Sequence, residues 1–348
     1  MEEWKTIHGN SLTGAGEIAR VFSLKAKVVG AVTDNYPAMI NPYFQSIIDK
    51  KDDPLFLQVV PSGQEITRAN LNCPEDPVGE ESHSPVPNLT HRYPDRVLFL
   101  ISHTCPVYCR FCTRKRKVGR SLRVDARTIE QGISYIRSDD RIRDVLLSGG
   151  DPMMLEDGDL GSILGELRGI PHIEVIRIGT RVPGALPQRI TPELAGTLSN
   201  HHPLYIHTHF NHPGEITDRS REACRILADA GIPMNNQTVH LKGINDSAQT
   251  LESLFRSLLT MRIRPYYLFH VDTVRGADHF RTPLHKGMDI MDDLRMRTSN
   301  MAIPQYAVDL PDGGGKVILT AGTVTPDGDG KYLIRTPEGD VVHYQDPE

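Results

Sequence analysis

Residues 96–112 read RVLFLISHTCPVYCRFC. The apolar run from Val97 to Ile101, mixing β-branched, aliphatic and aromatic side chains between polar ends, predicts a short buried strand over 96–103. Similar runs recur downstream: DVLLSG (144–149), IEVIRIGT (173–180), PLYIHTHF (203–210), IPMNNQTVHL (232–241) and PYYLFHV (265–271). Helical patterns separate them, among them ARTIEQGISYIRS (126–138), EITDRSREACRILADAG (215–231) and SAQTLESLFRSLLTMR (247–262). Six strands alternating with helices predict an α/β fold on a parallel sheet. A doubly wound open sheet and an incomplete barrel both satisfy the pattern, whereas a full eight-unit barrel takes about 250 residues. In either architecture chemistry gathers where strands end. His103 and Cys105, the SGGD at 148–151, the THFNH at 208–212 and Asp272 all fall there.

Bulk properties narrow the class. Apolar and charged contents of 39% and 24% are those of an ordinary globular protein, and a net charge of −5 argues against general nucleic-acid binding. No run of about 18 uncharged apolar residues predicts a membrane span, and the opening MEEWKTIHGN lacks the layout of a secretory signal. Five cysteines, three of them clustered and the others at Cys73 and Cys224, do not suit a secreted disulfide framework. A cytoplasmic protein with reduced thiols is expected.

Cys105, Cys109 and Cys112 are spaced C-x3-C-x2-C. Zinc could take these thiolates with His103 as a fourth ligand, a dithiol switch could use CRFC, and an iron–sulfur cluster is the third reading, its usual four thiolates reduced to three so that one iron stays open. The run that follows contains Arg110, Arg114, Lys115, Arg116, Lys117 and Arg120. It reads as a solvated face or an RNA patch, but it lacks interleaved aromatics on which bases could stack. Local charge balance around bound anions is the preferred reading, and nucleic acid is not expected as a partner.

The cysteine spacing on the loop after a first strand, with SGGDP about forty residues on, resembles the radical S-adenosylmethionine enzymes. A longer ordered set, CPVYCRFCTRKR, LLSGGDP, RIGTRVPGALPQRIT, THFNHPGEIT, NNQTVHLKGIND, DHFRTP and DGGGK, resembles the lysine 2,3-aminomutases over roughly residues 50 to 320. The resemblance implies a partial (β/α)6 TIM-like barrel over 91–290. A mainly helical extension, 1–90, would precede it, and a segment 291–348 would follow, carrying a pyridoxal-phosphate lysine and a terminal β-hairpin.

It also implies three cofactors. A [4Fe–4S] cluster would sit on the three cysteines, and S-adenosyl-L-methionine would lie against Ser148, Gly149, Gly150 and Asp151. Pyridoxal 5′-phosphate would be bound to Lys316 in VDLPDGGGKVIL, where Asp312 stands in place of a further glycine. Arg92, Tyr93 and Arg96 would hold its phosphate, with Gln237 on the phosphate side and His209 and Asn211 facing the cofactors. Arg114 would take the substrate α-carboxylate, and Asp272 with Asp309 the ε-ammonium. The implied activity is conversion of L-lysine to β-lysine by 1,2-amino migration. Two carboxylates repel each other unless a cation lies between them, which favours a basic amino acid. The alternatives are another basic amino acid, a radical enzyme modifying lysine for a translation factor, or a non-catalytic metal scaffold. Implied partners are a small-molecule amino acid, an electron donor such as flavodoxin or ferredoxin, and further copies of the chain, at least as a dimer.

Overall fold

The computed structural model describes residues 2–120, 124–320, 322–336 and 338–347; the Asp312 side chain lies outside what is described. Nine strands form one sheet in simple sequence order: β1 (Leu89–Tyr93), β2 (Arg96–Ser102), β3 (Asp144–Gly149), β4 (Val175–Thr180), β5 (Leu204–Thr208), β6 (Met234–His240), β7 (Ile263–His270), β8 (Gln305–Leu310) and β9 (Gly315–Ile318). Neighbours from β2 through β8 run parallel. Both outermost strands, β1 and β9, pair antiparallel. The six strands expected from sequence are present, and β8 adds a seventh parallel one.

Burial alternates along β3 and β4. Val145, Leu147, Ile176 and Ile178 are sealed under the outer helices, while Leu146, Ser148, Arg177 and Gly179 face a cavity inside the curved sheet. Register keeps these side chains level: Leu98, Leu146, Arg177 and Tyr205 are successive partners across β2 to β5. The helix Ala126–Ser138 shows the local logic. Asp125 and Thr128 form a reciprocal capping box at its start, and its Ile133 and Ile136 are buried in the main core. Burying such side chains stabilises by roughly 1.5–3 kcal/mol each.

The sheet's two edges come close together. The Lys316 amide on β9 donates to the Tyr93 hydroxyl of β1 at 2.9 Å. Gly315 has φ +82, and a Cβ there would lie 2.7 Å from Arg92 Nη2, so only glycine suits the position.

Short helices build the N-terminal extension, several opened by strong caps; Asp53 Oδ1 accepts from the Leu55 and Phe56 amides ahead of Pro54–Val59. Ile18, Ile40, Phe44, Phe56 and Val59 make a second core, and it includes Val107 from the cysteine loop. The expected terminal hairpin, β11 (Lys331–Arg335) with β12 (Val341–Gln345), gains a third strand, β10 (Val324–Pro326). Pro326 ends β10 after three residues, too brief a run to be read as a strand from its pattern. Tyr332, Ile334 and Tyr344 of this small sheet join the main core. Among the described residues no helix is long and apolar enough to cross a membrane.

Candidate active site

The cysteine loop leaves β2 and is pinned to the N-terminal extension by its backbone. The Tyr108 amide donates to the Met39 carbonyl and the Arg110 amide to the Gln58 carbonyl, while Asn41 Nδ2 donates to the Pro106 carbonyl. The loop is therefore shaped by its anchors, and its three thiols line one cavity of about 720 Å³. None is in a disulfide. Burial, then the neighbouring Cys112, pushes the Cys105 thiol well above its usual range. Burial, then Cys109, pushes Cys112 up to about 11. Three crowded sulfurs resist becoming anions unless a cationic group joins them, so the donor set suits a positively charged iron core.

A buried cation already serves one sulfur. Arg181, just past β4, donates from Nη1 to Cys109 Sγ at 2.7 Å and from Nη2 to Gln58 Oε1 at 2.6 Å and Glu215 Oε2 at 3.1 Å. Burial alone would lower its pKa; Cys109 and Glu215 outweigh that and raise it. Asp151 is 2% exposed and accepts from Thr180 Oγ1, the Arg181 amide and the Met153 amide. Burial pushes it up to about 6 against those hydrogen bonds. Its carboxylate thus fixes the start of the Arg181 turn. Gly149, at φ +132, would place a Cβ 2.0 Å from the Ser102 carbonyl oxygen, so the close approach of β3 to the end of β2, where the cysteine loop begins, demands glycine.

At the opposite end of the cavity, Lys316 on β9 stands across from Asp309 on β8. Its Nζ is 3.9 Å from Asp309 Oδ2, 4.2 Å from the Phe269 ring centre and 4.8 Å from that of Tyr267. Asp272 follows β7 and accepts from Thr113 Oγ1 at 2.6 Å. Burial first, then the Asp309 charge, pushes Asp272 up to about 7, with the Thr113 hydrogen bond, Lys316 and Arg114 pulling the other way. Arg92, Tyr93, Arg96, Gln237 and Arg177 line the same end. Arg92 Nε is buried without a partner among the described residues, and Arg96 stacks on Tyr93 at 3.9 Å. An orphaned guanidinium donor beside a lysine and a glycine turn fits a phosphate-bearing aldehyde.

Sixteen of the seventeen residues expected at the site line this cavity: Cys105, Cys109, Cys112, Ser148, Gly149, Gly150, Asp151, Arg92, Tyr93, Arg96, Gln237, His209, Arg114, Asp272, Asp309 and Lys316. His209 Nε2 is buried and unpartnered among the described residues, and burial, then Arg181, lowers its pKa to about 3. Asn211 is not part of the lining. Its Nδ2 donates to Gln58 Oε1 and its Oδ1 accepts from the Val239 amide, so it ties strands to the extension.

The basic run behaves differently from the expectation that it balances anions at the cluster. Arg110 and Lys115 both turn away from the cavity to the buried Glu65, at 2.6 and 2.8 Å, two cations on one carboxylate with almost no exposure. Arg116 and Lys117 meet Glu80 and Glu81, and Arg120 meets the Asn35 carbonyl. Only Arg114 reaches the cavity. The acids of the extension are the counter-charges, because burying Arg110 and Lys115, and half-burying Arg114, Arg116 and Lys117, without them is prohibitive. Glu65→Ala should therefore lower stability by about 3–5 kcal/mol, since it strands two buried cations; a urea midpoint that does not move would refute this.

Residues 99–254 match the radical SAM superfamily and residues 291–348 match the family described as Lysine-2,3-aminomutase. The L-lysine 2,3-aminomutase of Clostridium subterminale is 46% identical over 311 residues, 88% of this chain and 74% of that one. The chain belongs to the lysine 2,3-aminomutase family. Other members are the L-lysine 2,3-aminomutase of Bacillus subtilis (strain 168), 45% identical over 91% of this chain and 68% of that one, and the glutamate 2,3-aminomutase of Clostridioides difficile (strain 630), 40% identical over 99% and 83%. A looser likeness is to the crystal structure of Streptococcus suis SuiB bound to S-adenosylmethionine, at 16% identity and TM-score 0.47, covering 66% of this chain and 52% of that one. In this aminomutase Thr113, Arg181, Glu80, Arg177 and His207 also belong to the cavity wall, and sequence reasoning did not single them out. Arg181 follows a strand end directly, the same signal that drew attention to Asp272. Glu80 carries no such mark.

Proposed function

We infer that this chain is an isomerase, a radical S-adenosylmethionine and pyridoxal-phosphate dependent 2,3-aminomutase that converts L-lysine to β-lysine. The observation that carries the substrate choice is Asp272, half-buried beside Asp309 at the cavity end that also holds Lys316. Lys316 offsets the repulsion of this pair only in part, since Asp272 is still raised, and a lysine ε-ammonium adds a further cation with three donors.

When bound, the [4Fe–4S] cluster with S-adenosylmethionine supplies a carbon-centred radical, and pyridoxal phosphate carries the migrating nitrogen. The chain's own residues bind and orient. Cys105, Cys109 and Cys112 would hold the cluster, and the Ser148–Asp151 turn would meet the amino group of S-adenosylmethionine. Lys316 would hold the pyridoxal group through Nζ, with its phosphate on Arg92, Tyr93, Arg96 and Gln237. Arg114 would take the α-carboxylate and Asp272 with Asp309 the ε-ammonium, so the substrate is fixed at both ends and C3 is aimed between them. Phe111, Tyr267 and Phe269 in the wall keep water from that point. The reading includes a one-electron reductant such as flavodoxin or ferredoxin and self-association of the chain.

Anaerobic reconstitution with iron and sulfide, followed by dithionite, S-adenosylmethionine, pyridoxal phosphate and a mixture of amino acids, tests it. Mass spectrometry should find β-lysine and no β-glutamate. 5′-Deoxyadenosine without any β-amino acid would sink the free-lysine reading and point to a macromolecular substrate.

A further inference from the structure

The segment 76–84 crosses from the N-terminal extension to the cavity rim. Asp76 folds it, accepting from the Glu80 and Glu81 amides at 3.1 and 2.9 Å, and Ser84 Oγ donates to the Glu80 carbonyl. Val78 and Glu80 are the residues ahead of β1 found in the described cavity wall. The segment grips the rim at a second point. His83 stacks its Cε1 where a Cβ on Gly313 would clash at 2.5 Å, and its Nε2 is 3.4 Å from Arg92 Nη1.

Glu80 itself is 3% exposed, and both of its oxygens are engaged. Oε1 receives two donors from one guanidinium, Arg114 Nε at 2.7 Å and Nη2 at 2.6 Å. Oε2 faces Arg116 Nη2 at 3.1 Å and Lys117 Nζ at 3.6 Å. Burial would raise the Glu80 pKa; Arg114, then Lys117 and Arg116, outweigh it and hold the carboxyl down to about 2. The carboxylate is anchored on one side by the loop's other cations and presents its remaining oxygen to Arg114.

That contact takes one edge of a planar fork. Arg114 has five N–H donors in fixed directions. With Nε and one Nη2 hydrogen on Glu80, the other edge, Nη1 with the second Nη2 hydrogen, is left for the cavity. Its protein contact there is a long one, Nη1 to Ser148 Oγ at 3.4 Å. A guanidinium held by one carboxylate and offering its second edge to another is locked against rotation about its long side chain, so less freedom is lost when the second carboxylate arrives.

We propose that Glu80 is a positioning residue for substrate binding: it grips the Nε–Nη2 edge of Arg114 and turns the other edge toward the cavity, so that the N-terminal extension sets affinity for the amino acid's α-carboxylate. The proposal rests on the reading of Arg114 as the carboxylate-binding group. It accounts for a buried glutamate that cofactor binding alone does not require.

The test uses pyridoxal-loaded, cluster-reconstituted enzyme and two probes, L-lysine and 1,5-diaminopentane, which is lysine without its carboxylate. Binding is read from the visible absorption of the pyridoxal group without S-adenosylmethionine, and KM and kcat are read in turnover. Glu80→Gln should weaken lysine binding and raise KM by about tenfold, the size of a lost charge-assisted hydrogen bond. It should leave kcat, iron content and diaminopentane binding within twofold. Glu80→Asp, which keeps the charge, should recover part of the loss. Arg114→Gln should weaken lysine at least as much, and adding Glu80→Gln to it should change nothing further. Unchanged lysine binding in Glu80→Gln, with weakened binding in Arg114→Gln, overturns the proposal and leaves the Arg114 reading intact. Unchanged lysine binding in Arg114→Gln overturns that reading. Loss of iron with equal weakening of both probes in Glu80→Gln and Glu80→Asp overturns the positioning role in favour of a purely structural one.

Discussion

Lys316→Ala is expected to lower β-lysine formation by roughly 1,000-fold or more, the scale on which removal of an activated amine nucleophile acts. Lys316 is the residue whose Nζ projects from β9 over Phe269 and Tyr267, and alanine leaves that face with no amine. The protein should still fold, because the backbone pairing of Asp309 with residue 316 and the amide bond to Tyr93 do not involve the ammonium. Iron content should therefore match the parent, while the visible absorption of bound pyridoxal phosphate is lost or turns into that of the free aldehyde. A Lys316→Ala protein that retains the parent's absorption and turnover would place the cofactor on another lysine.

Asp272→Asn should reduce kcat/KM for lysine by roughly 100- to 1,000-fold, as removing one partner of a buried charged contact costs about 3–4 kcal/mol. The change is nearly isosteric, and an asparagine oxygen can still accept from Thr113 Oγ1, so the cavity keeps its shape. A pH profile separates charge from shape. In the free enzyme Asp272 is raised to about 7, so below that pH it carries a proton and offers no anion to the ε-ammonium. kcat/KM for lysine should climb as pH rises through about 7 and level off above it, because that profile reports the free enzyme. In Asp272→Asn this rising limb should vanish. A rise of the same size and midpoint in the variant would assign the titration to another group.

The sheet and the cluster loop were legible because each leaves a local mark. Strands β2 to β7 are brief apolar runs, and C-x3-C-x2-C is a spacing with few uses. β8 was harder to read: Gln305–Leu310 carries polar residues at both its start and Asp309, and it becomes a strand by pairing with β7. The basic run was misjudged because its partners lie roughly 35 to 50 residues away in ordinary acidic loops. Nothing in the local pattern of Glu65 or Glu80 distinguishes them from solvated surface acids, and only the packed extension makes them buried counter-ions. Asn211 shows the opposite error. Its place in THFNH suggested the cavity, yet the turn after β5 rotates it into the scaffold, where an amide can satisfy Gln58 and Val239 together.

The seam between β1 and β9 joins residues 89–93 to residues 315–318. Across it the described hydrogen bond is a single one, from an amide to the Tyr93 hydroxyl. The proposed phosphate site straddles that gap, with arginines on one lip and Lys316 on the other. A molecule bound there acts as a rivet across the slot, stabilising the closed ring by about 2.7 kcal/mol at a hundredfold excess over its dissociation constant. Cofactor loading and closure of the ring then become one event, because the two lips of the slot come from strands more than 200 residues apart in the chain.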